Sequence, residues 1–232
     1  MDSTAPVVEI SGLEFSWHDK ADPVLKIADF SLAARERLFI KGPSGSCKST
    51  LLSLVAGVNL PTSGNVDVLQ QSLTKMSGGA RDRFRVDHMG VIFQQFNLLP
   101  YLSVLDNILL PCRFSKRRLE KAESEGGAVE EAGRLLAHLD MEEALLQRPV
   151  SDLRVGQQQR VAAARALIGY PALVIADEPT SSLAADRRRH FIELLFRECE
   201  REGAALMFVS HDASLEPMFD RAVHLDEINE AA

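Results

Sequence analysis

The 232-residue sequence is poor in cysteine and carries no excess of positive charge, and each shortage excludes a class of protein. Its three cysteines, Cys47, Cys112 and Cys199, are too few and too widely spaced for a disulfide framework or a cysteine-ligated metal cluster. A reducing compartment is therefore the expected environment. The net charge of -7 argues against nucleic acid as the main partner, because phosphate backbones attract basic surfaces.

Long apolar runs are also missing. No uncharged apolar stretch approaches the roughly 18 residues that a membrane-spanning helix needs. The first residues lack the basic and apolar regions of a secretory signal peptide. With 46% hydrophobic and 25% charged residues, the chain has the composition of a protein with a well-packed core. We expect a cytoplasmic protein whose association with a membrane depends on a partner.

The chain instead shows an alternation of short apolar strands with amphipathic helices. Strands are predicted at residues 7–15, 38–41, 66–69, 89–93, 172–176, 205–209 and 222–225, and helices at 51–56 and 186–202. Residues 104–160 have helical spacing, interrupted at residues 125–127, which predicts at least two helices there. This alternation predicts an α/β fold with a parallel sheet, crossover helices and a helical insertion.

The most informative segment is the apolar run at residues 173–176, which ends in the adjacent carboxylates Asp177 and Glu178. A continuous apolar run is typical of a buried parallel strand, and ligands of such sheets bind beyond the carboxyl ends of the strands. One carboxylate could hold a metal-bound phosphate while the other positions a nucleophilic water. A core strand that ends in solvated acids is the alternative.

Residues 42–50 form a second candidate site, between a predicted strand and a predicted helix. Glycines in such a loop let backbone N–H groups face a phosphate at the helix N-terminus. Lys48 would reach the β- and γ-phosphates, and the Ser49 hydroxyl would hold Mg²⁺. An ordinary turn rich in glycine and serine is the alternative.

Together with three further segments, these two resemble the motifs of the ATP-binding cassette ATPases, in the family's order and at its spacing. The segments are residues 42–50 (Walker A loop), 93–98 (Q-loop), 155–160 (second half of the signature motif), 173–178 (Walker B strand) and 209–212 (switch histidine). The resemblance covers nearly the whole chain, and the glutamine-rich signature before Walker B is peculiar to this family. Residues 93–100 and 155–162 are most similar to the lipoprotein-releasing and macrolide-exporter group.

The resemblance implies a P-loop nucleotide-binding core with a mixed sheet, an N-terminal antiparallel β part and an inserted helical subdomain. It also implies a single ATPase domain, in which residues 1–94 and 161–232 form the core and residues 95–160, approximately, form the helical subdomain.

The same resemblance assigns roles to individual residues. Those expected to bind ATP are Trp17, Gly42, Pro43, Ser44, Gly45, Ser46, Cys47, Lys48, Ser49, Thr50, Arg154, Val155, Gly156 and Gln157. Those expected to hold Mg²⁺ are Ser49, Gln94 and Asp177, and those expected to act in hydrolysis are Glu178, His211 and Gln94. Glu178 would be the general base and His211 would contact the γ-phosphate.

Several of these residues also allow a simpler structural interpretation when each is considered in isolation. Trp17 could be a buried strand aromatic, Gln94 a surface residue and His211 an ordinary loop residue. Arg160, the last residue of the signature segment, and Arg165, which follows it, are interpreted as structural.

The implied function is an ATP-binding and ATP-hydrolysing transporter subunit on the inner face of the bacterial cell membrane. Two such subunits sandwich two ATP molecules, each bound by one Walker A loop and the opposite signature, and their closure drives an integral membrane permease. The second subunit could be another copy of this chain or a different ATPase. Cargo specificity in this group lies in the permease.

Four positions depart from the family's pattern. Cys47 replaces the glycine before the P-loop lysine, Arg154 and Val155 replace serine and glycine of the signature, and Ala184 replaces the aspartate of the D-loop. These departures motivate an alternative function, a nucleotide-binding regulatory subunit with little turnover. A DNA-repair or translation ATPase of the same superfamily is a weaker alternative, because those usually carry long insertions or duplicated cassettes.

Overall fold

The computed structural model describes residues 5–18, 21–43, 45–124 and 126–231, apart from the side chains of Ala185 and Asp186. The strands are β1 (Val8–Phe15), β2 (Leu25–Leu32), β3 (Arg37–Lys41), β4 (Ser63–Val68), β5 (Gln71–Ser72), β6 (Met89–Ile92), β7 (Leu173–Asp177), β8 (Ala205–Val209) and β9 (Arg221–His224). The α-helices are α1 (Lys48–Val55), α2 (Gly78–His88), α3 (Val104–Phe114), α4 (Lys116–Glu123), α5 (Ala128–His138), α6 (Val155–Leu167), α7 (Ala185–Glu202) and α8 (Leu225–Ile228). The chain forms two compact units, residues 1–85 with 205–232, and residues 86–204.

The first unit contains an antiparallel sheet in the order β2-β1-β4-β5. Residues Val8 and Ile10 of β1 are buried and alternate with exposed neighbours, as expected for a sheet with one face toward a core. Gly12 interrupts this alternation with a φ of 55°, and the register between β1 and β4 shifts there. A Cβ on Gly64 would lie 2.1 Å from the Gly12 carbonyl oxygen, so this close approach requires glycine at residue 64.

The same unit contains three parallel strands, with β3 between β8 and β9. Strand β8 is buried along its whole length, as is typical of parallel strands that are covered on both faces. The register places Ile40 beside Val209 and Lys41 beside His224. Because the strands run in one direction, the loops that follow β3 and β8 begin at the same edge.

The second unit contains the parallel pair β6 and β7 together with α3, α4, α5, α6 and α7. Helix α6 approaches β6 closely, since a Cβ on Gly90 would lie 2.2 Å from the Ala166 carbonyl oxygen. Residues 161–167 of α6 are all buried, and four of them are alanines. These small side chains allow the helix to pack tightly against the strand.

A buried arginine supports the end of α6. Arg118 of α4 is fully buried, and its guanidinium donates to the carbonyl oxygens of Met89 at 3.2 Å, Ala166 at 2.6 Å and Ile168 at 2.7 Å. The last carbonyl groups of a helix have no partner within the helix, so Arg118 supplies donors that α6 itself lacks. Burial lowers the pKa of Arg118 to about 10, which leaves the side chain charged at neutral pH.

The α/β class, the antiparallel N-terminal part and the helical insertion between β6 and β7 are confirmed. The sequence did not predict β2, β5, α2 or α8. Residues 104–160 contain α3, α4, α5 and the start of α6, and α1 begins earlier than the predicted helix. Across the described ranges we find no helix with both the length and the hydrophobicity of a membrane span.

Candidate functional site

The loop between β3 and α1 has the geometry of a phosphate-binding loop. A Cβ on Gly42 would lie 2.6 Å from the Ser46 hydroxyl oxygen, and Gly45 has a φ of 85°. The backbone conformation of residue 45 therefore favours glycine, whereas a Cβ at residue 42 would displace the Ser46 hydroxyl. Pro43 and Gly45 are exposed and Ser46 is half-buried, whereas the predicted ligand Ser44 lies outside the described residues.

The side chain of Lys48 lies inside this loop. Its ammonium donates to the carbonyl oxygens of Gly42 at 2.8 Å and Pro43 at 2.7 Å, and only 8% of the residue is exposed. The N–H groups of the first turn of α1, which includes Ser49 and Thr50, have no partner within the helix. A cation and a helix N-terminus together favour an anion at this position.

Cys47 is the N-cap residue of α1, and its backbone is in the left-handed region with φ 63° and ψ 23°. Its side chain makes no capping hydrogen bond, and the Sγ atom lies 3.8 Å from the Gly45 carbonyl oxygen. The backbone conformation is one that glycine adopts freely and other residues seldom adopt. Cys47 thus places a Cβ on a left-handed residue directly before Lys48.

Two further predicted ligands belong to the same unit. Trp17 is 54% exposed and contacts the Phe15 ring edge-on, with the ring centroids 5.0 Å apart, so one indole face remains available for stacking. This exposure contradicts the alternative of a buried strand aromatic. His211 is exposed and follows β8, which ends beside β3. The structure therefore brings His211 and the phosphate loop to the same edge of the parallel strands.

In the second unit, the Q-loop and the Walker B strand end side by side. Ile92 of β6 is in register with Ala176 of β7. Gln94, just after β6, and the pair Asp177–Glu178, at the end of β7, are therefore at neighbouring strand ends. Gln94 is exposed, Asp177 and Glu178 are half-buried, and Glu178 has a φ of 45°. A positive φ at a bulky residue is uncommon, and such residues cluster at functional sites.

The signature segment forms the N-terminus of α6. Arg154 is the N-cap residue, its side chain makes no capping bond, and its backbone N–H donates to the Gln157 Oε1 atom at 3.0 Å. Arg154 and Val155 are exposed, and a Cβ on Gly156 would make an ordinary contact of 3.6 Å. This end of the helix therefore presents its first turn to solvent.

Ala184 occupies the N-cap position of α7. An aspartate at an N-cap accepts a hydrogen bond from the first turn of the helix, and a methyl group cannot. The departure at this position therefore also removes a helix cap.

Two side chains support the segment after Gln94, and the sequence analysis did not identify their partners, although it interpreted Arg165 as structural. Asn107 is fully buried and bonds to both the N–H and the carbonyl group of Leu99, and Arg165 donates to the carbonyl groups of Phe96 and Asn97. Their partners are backbone groups, which no residue pattern identifies.

Comparison with known proteins agrees with this arrangement of motifs. Residues 25–181 match the family model described as ABC transporter. The chain is 37% identical to the lipoprotein-releasing system ATP-binding protein LolD of Hydrogenovibrio crunogenus over 95% of this chain and 94% of that protein. It is 35% identical to the LolD protein of Syntrophotalea carbinolica over 97% of both chains.

Solved structures with the same fold include two of the bacterial ABC transporter cassette MJ0796. One is described as dimeric, and it has a TM-score of 0.82 and 29% identity over 94% of this chain and 93% of that chain. The other is described as a dimeric post-hydrolysis state bound to ADP and Pi, with a TM-score of 0.82, 30% identity and the same coverage. The chain therefore belongs to the ABC transporter family, as an ATP-binding cassette ATPase.

Proposed function

We propose that the chain drives a permease of the lipoprotein-releasing type through ATP-dependent closure of a head-to-tail dimer. As an ABC transporter ATPase it binds and hydrolyses ATP and works with a membrane permease. The type of permease is inferred from relatives named as lipoprotein-releasing system ATP-binding proteins. The observation that carries the proposal is the phosphate loop, in which the Lys48 ammonium lies at the N-terminus of α1.

Nucleotide binding is assigned to the first unit. The Lys48 ammonium would exchange its loop carbonyl partners for the β- and γ-phosphates, and the N–H groups of α1 would donate to the same phosphates. The exposed face of Trp17 would stack on adenine. His211 would donate to the γ-phosphate from the end of β8.

The proposed Mg²⁺ ligands suit that ion, because Ser49, Gln94 and Asp177 all offer oxygen atoms, the donors that hard divalent cations prefer. A bound Mg²⁺ would neutralise charge on the phosphates during the reaction. In the hydrolysis step, a water oxygen forms a bond to the γ-phosphorus as the bond to the β–γ bridging oxygen breaks. The Glu178 carboxylate accepts the proton of that water, and ADP and phosphate are the products.

The signature end of α6 is proposed to meet the nucleotide of a second subunit. The first turn, with Arg154 and Val155 exposed and Gly156 and Gln157 half-buried, is available for such a contact. A second copy of this chain is the proposed partner, and a different ATPase subunit is the alternative. Residues 95–160 are proposed to act as the helical subdomain that transmits closure to the permease.

The proposed location is the inner face of the bacterial cell membrane, peripheral and held there by the permease. This position would expose the nucleotide site to cytoplasmic ATP.

Replacing Glu178 by glutamine tests the proposal. We expect turnover to fall by about a hundredfold or more, because a general base contributes 10² to 10⁴ to the rate. ATP affinity should persist, since Lys48 and the loop are unchanged. Size-exclusion chromatography with ATP and Mg²⁺ should therefore show a stable dimer, and a coupled assay should show the loss of ATPase activity.

The control is Glu193→Gln, at an exposed position on α7, which should hydrolyse ATP at the native rate. Native turnover by Glu178→Gln would contradict the assigned base.

A regulatory subunit with little turnover is the second candidate, favoured by the left-handed backbone of Cys47 and the uncapped N-terminus of α7. Negligible ATPase activity of the native chain, with and without its permease, would select it.

A further inference from the structure

Arg165 joins the signature helix to the loop that carries Gln94. It lies on the buried face of α6, with 8% of its surface exposed. Its Nη2 atom donates to the Phe96 carbonyl oxygen at 2.6 Å, and its Nη1 atom donates to the Asn97 carbonyl oxygen at 2.7 Å. The geometry points to Arg165 as a positioning residue that sets the conformation of the Gln94 loop.

The loop needs such an anchor because its backbone is unusual. Phe96 and Asn97 are consecutive residues with φ values of 59° and 49°. Asparagine enters the left-handed region fairly often, but a bulky aromatic residue seldom does. Hydrogen bonds from a charged donor are stronger than neutral ones. The guanidinium therefore holds two carbonyl groups in an orientation that the backbone alone disfavours.

A second anchor fixes the other end of the loop. The Asn107 side chain is fully buried; its Oδ1 atom accepts from the Leu99 N–H at 2.8 Å, and its Nδ2 atom donates to the Leu99 carbonyl oxygen at 3.1 Å. The exposed Gln94 thus precedes a segment that is held by α6 at Phe96 and Asn97 and by α3 at Leu99. With both anchors in place, the loop has little freedom to reposition Gln94.

This arrangement couples two motifs of the ATPase. Arg165 and the signature residue Arg154 belong to one continuous helix. A movement of that helix consequently carries the carbonyl groups of Phe96 and Asn97 with it. The inference rests on the proposed role of Gln94 in hydrolysis, and it adds that the placement of Gln94 depends on α6.

Arg165 and Arg160 bond different backbone carbonyl groups, although the sequence analysis interpreted both residues as structural. Arg160 lies on the same helix but donates to the Asp140 carbonyl oxygen at 2.8 Å. It therefore provides a matched control, an arginine of α6 that bonds a backbone carbonyl elsewhere.

The test compares Arg165→Met with Arg160→Met. Hydrogen exchange of the nucleotide-free protein should accelerate about tenfold at the amides of Phe96 and Asn97 in Arg165→Met, because the turn loses its anchor. The kcat should fall about tenfold, as expected for a displaced catalytic group. The Kd for ATP should change by less than about twofold, since Lys48 is untouched. Arg160→Met should leave the exchange rates at Phe96 and Asn97 at native values, because Arg160 bonds the Asp140 carbonyl oxygen instead.

A double-mutant cycle with Gln94→Ala tests the route of the effect. If Arg165 acts through Gln94, the double variant should be no slower than Gln94→Ala alone. Arg165→Lys keeps one charged donor, so it should restore part of the kcat and part of the protection of Phe96 and Asn97 against hydrogen exchange. If Arg165→Met does not fold, Arg165→Lys takes its place in the comparison. Native exchange rates at Phe96 and Asn97 in both Arg165 variants, or fully additive losses of kcat, would overturn the inference. If Gln94→Ala retained native turnover, the proposed role of Gln94 would fail, and the exchange rates alone would decide whether Arg165 holds the loop.

Discussion

At the scale of single residues, Cys47 combines a left-handed backbone with a Cβ in the proposed phosphate loop. Its φ is 63°, and it is the N-cap of α1, directly before Lys48. A residue with a Cβ in this conformation carries a cost of roughly 1–2 kcal/mol that glycine does not. The strain therefore lies beside the group that is expected to bind phosphate.

We expect Cys47→Gly to bind ATP about tenfold more tightly, because the backbone can then approach the phosphates without a Cβ in the way. Isothermal titration calorimetry in reducing buffer would measure the change. Cys47→Ala is the matched control, since it removes the thiol but keeps the Cβ, and its affinity should stay native. An equal gain in the alanine variant would show that the thiol is responsible.

Residue types predicted the phosphate loop and the carboxylate pair, but they could not predict the contacts of Arg165. Lys48 and Asp177 belong to motifs whose chemistry is visible in the sequence itself. The guanidinium of Arg165 instead bonds backbone carbonyl groups, and the Asn97 carbonyl lies 68 residues away in the chain. Any residue type could supply such a carbonyl, so no pattern in the sequence marks this contact.

At the scale of elements, the close packing of α6 against β6 depends on Gly90. The neighbour of an added Cβ would be the Ala166 carbonyl oxygen at 2.2 Å, a backbone atom that cannot rotate away. A methyl group would consequently force the helix and the strand apart.

We expect Gly90→Ala to destabilise the protein by about 1–3 kcal/mol, the usual range for overpacking. Thermal unfolding should show a Tm lower by roughly 2–4 °C per kcal/mol. Gly79→Ala on α2 is the control, because a Cβ added at this residue would meet no atom within 4 Å. This variant should stabilise the protein by about 0.5–1 kcal/mol, because alanine has a higher helix propensity than glycine. A native Tm for Gly90→Ala would mean that the two elements can move apart at no cost.

Helices and strands could be predicted from the sequence where their buried faces produce a regular spacing of apolar residues. Helix α2 has no buried residue and hence no apolar stripe to detect. The number of helices in residues 104–160 was hidden because Ser115 ends α3 and also caps α4, so that a single residue forms the junction.

At the scale of the whole molecule, stability depends on how a negatively charged chain buries its carboxylates. Arg134 lies between three of them, with Glu131 at 2.7 Å, Glu198 at 2.9 Å and Glu202 at 3.9 Å. Burial, together with the nearby charge of Glu198, raises the pKa of Glu202 to about 9. Glu202 is therefore protonated in the folded protein at neutral pH.

This protonation makes the free energy of unfolding depend on pH. Between the ordinary pKa of 4.5 and the folded value of about 9, the native state keeps a proton that the unfolded chain releases. The contribution of Glu202 to the free energy of unfolding is therefore largest below pH 4.5 and decreases as the pH rises toward 9.

Glu202→Gln, which is neutral at every pH, should raise the Tm more at about pH 8 than at about pH 5. Thermal unfolding monitored by circular dichroism at both pH values would measure the difference. Glu200→Gln, at an exposed position on the same helix, should show no such pH-dependent gain. Equal gains at both pH values would mean that Glu202 is ionised in the native protein.

If Lys48 binds the phosphates as proposed, its internal hydrogen bonds make ATP binding an exchange of partners at this ammonium. The ammonium already donates to the carbonyl oxygens of Gly42 and Pro43, so it has given up most of its water before nucleotide arrives. In the proposed binding mode, phosphate oxygens would replace those carbonyls, and the number of bonds that the ammonium makes would change little. The heat released at this lysine would consequently be small, and the preference for ATP would come from the negative charge of the incoming oxygens.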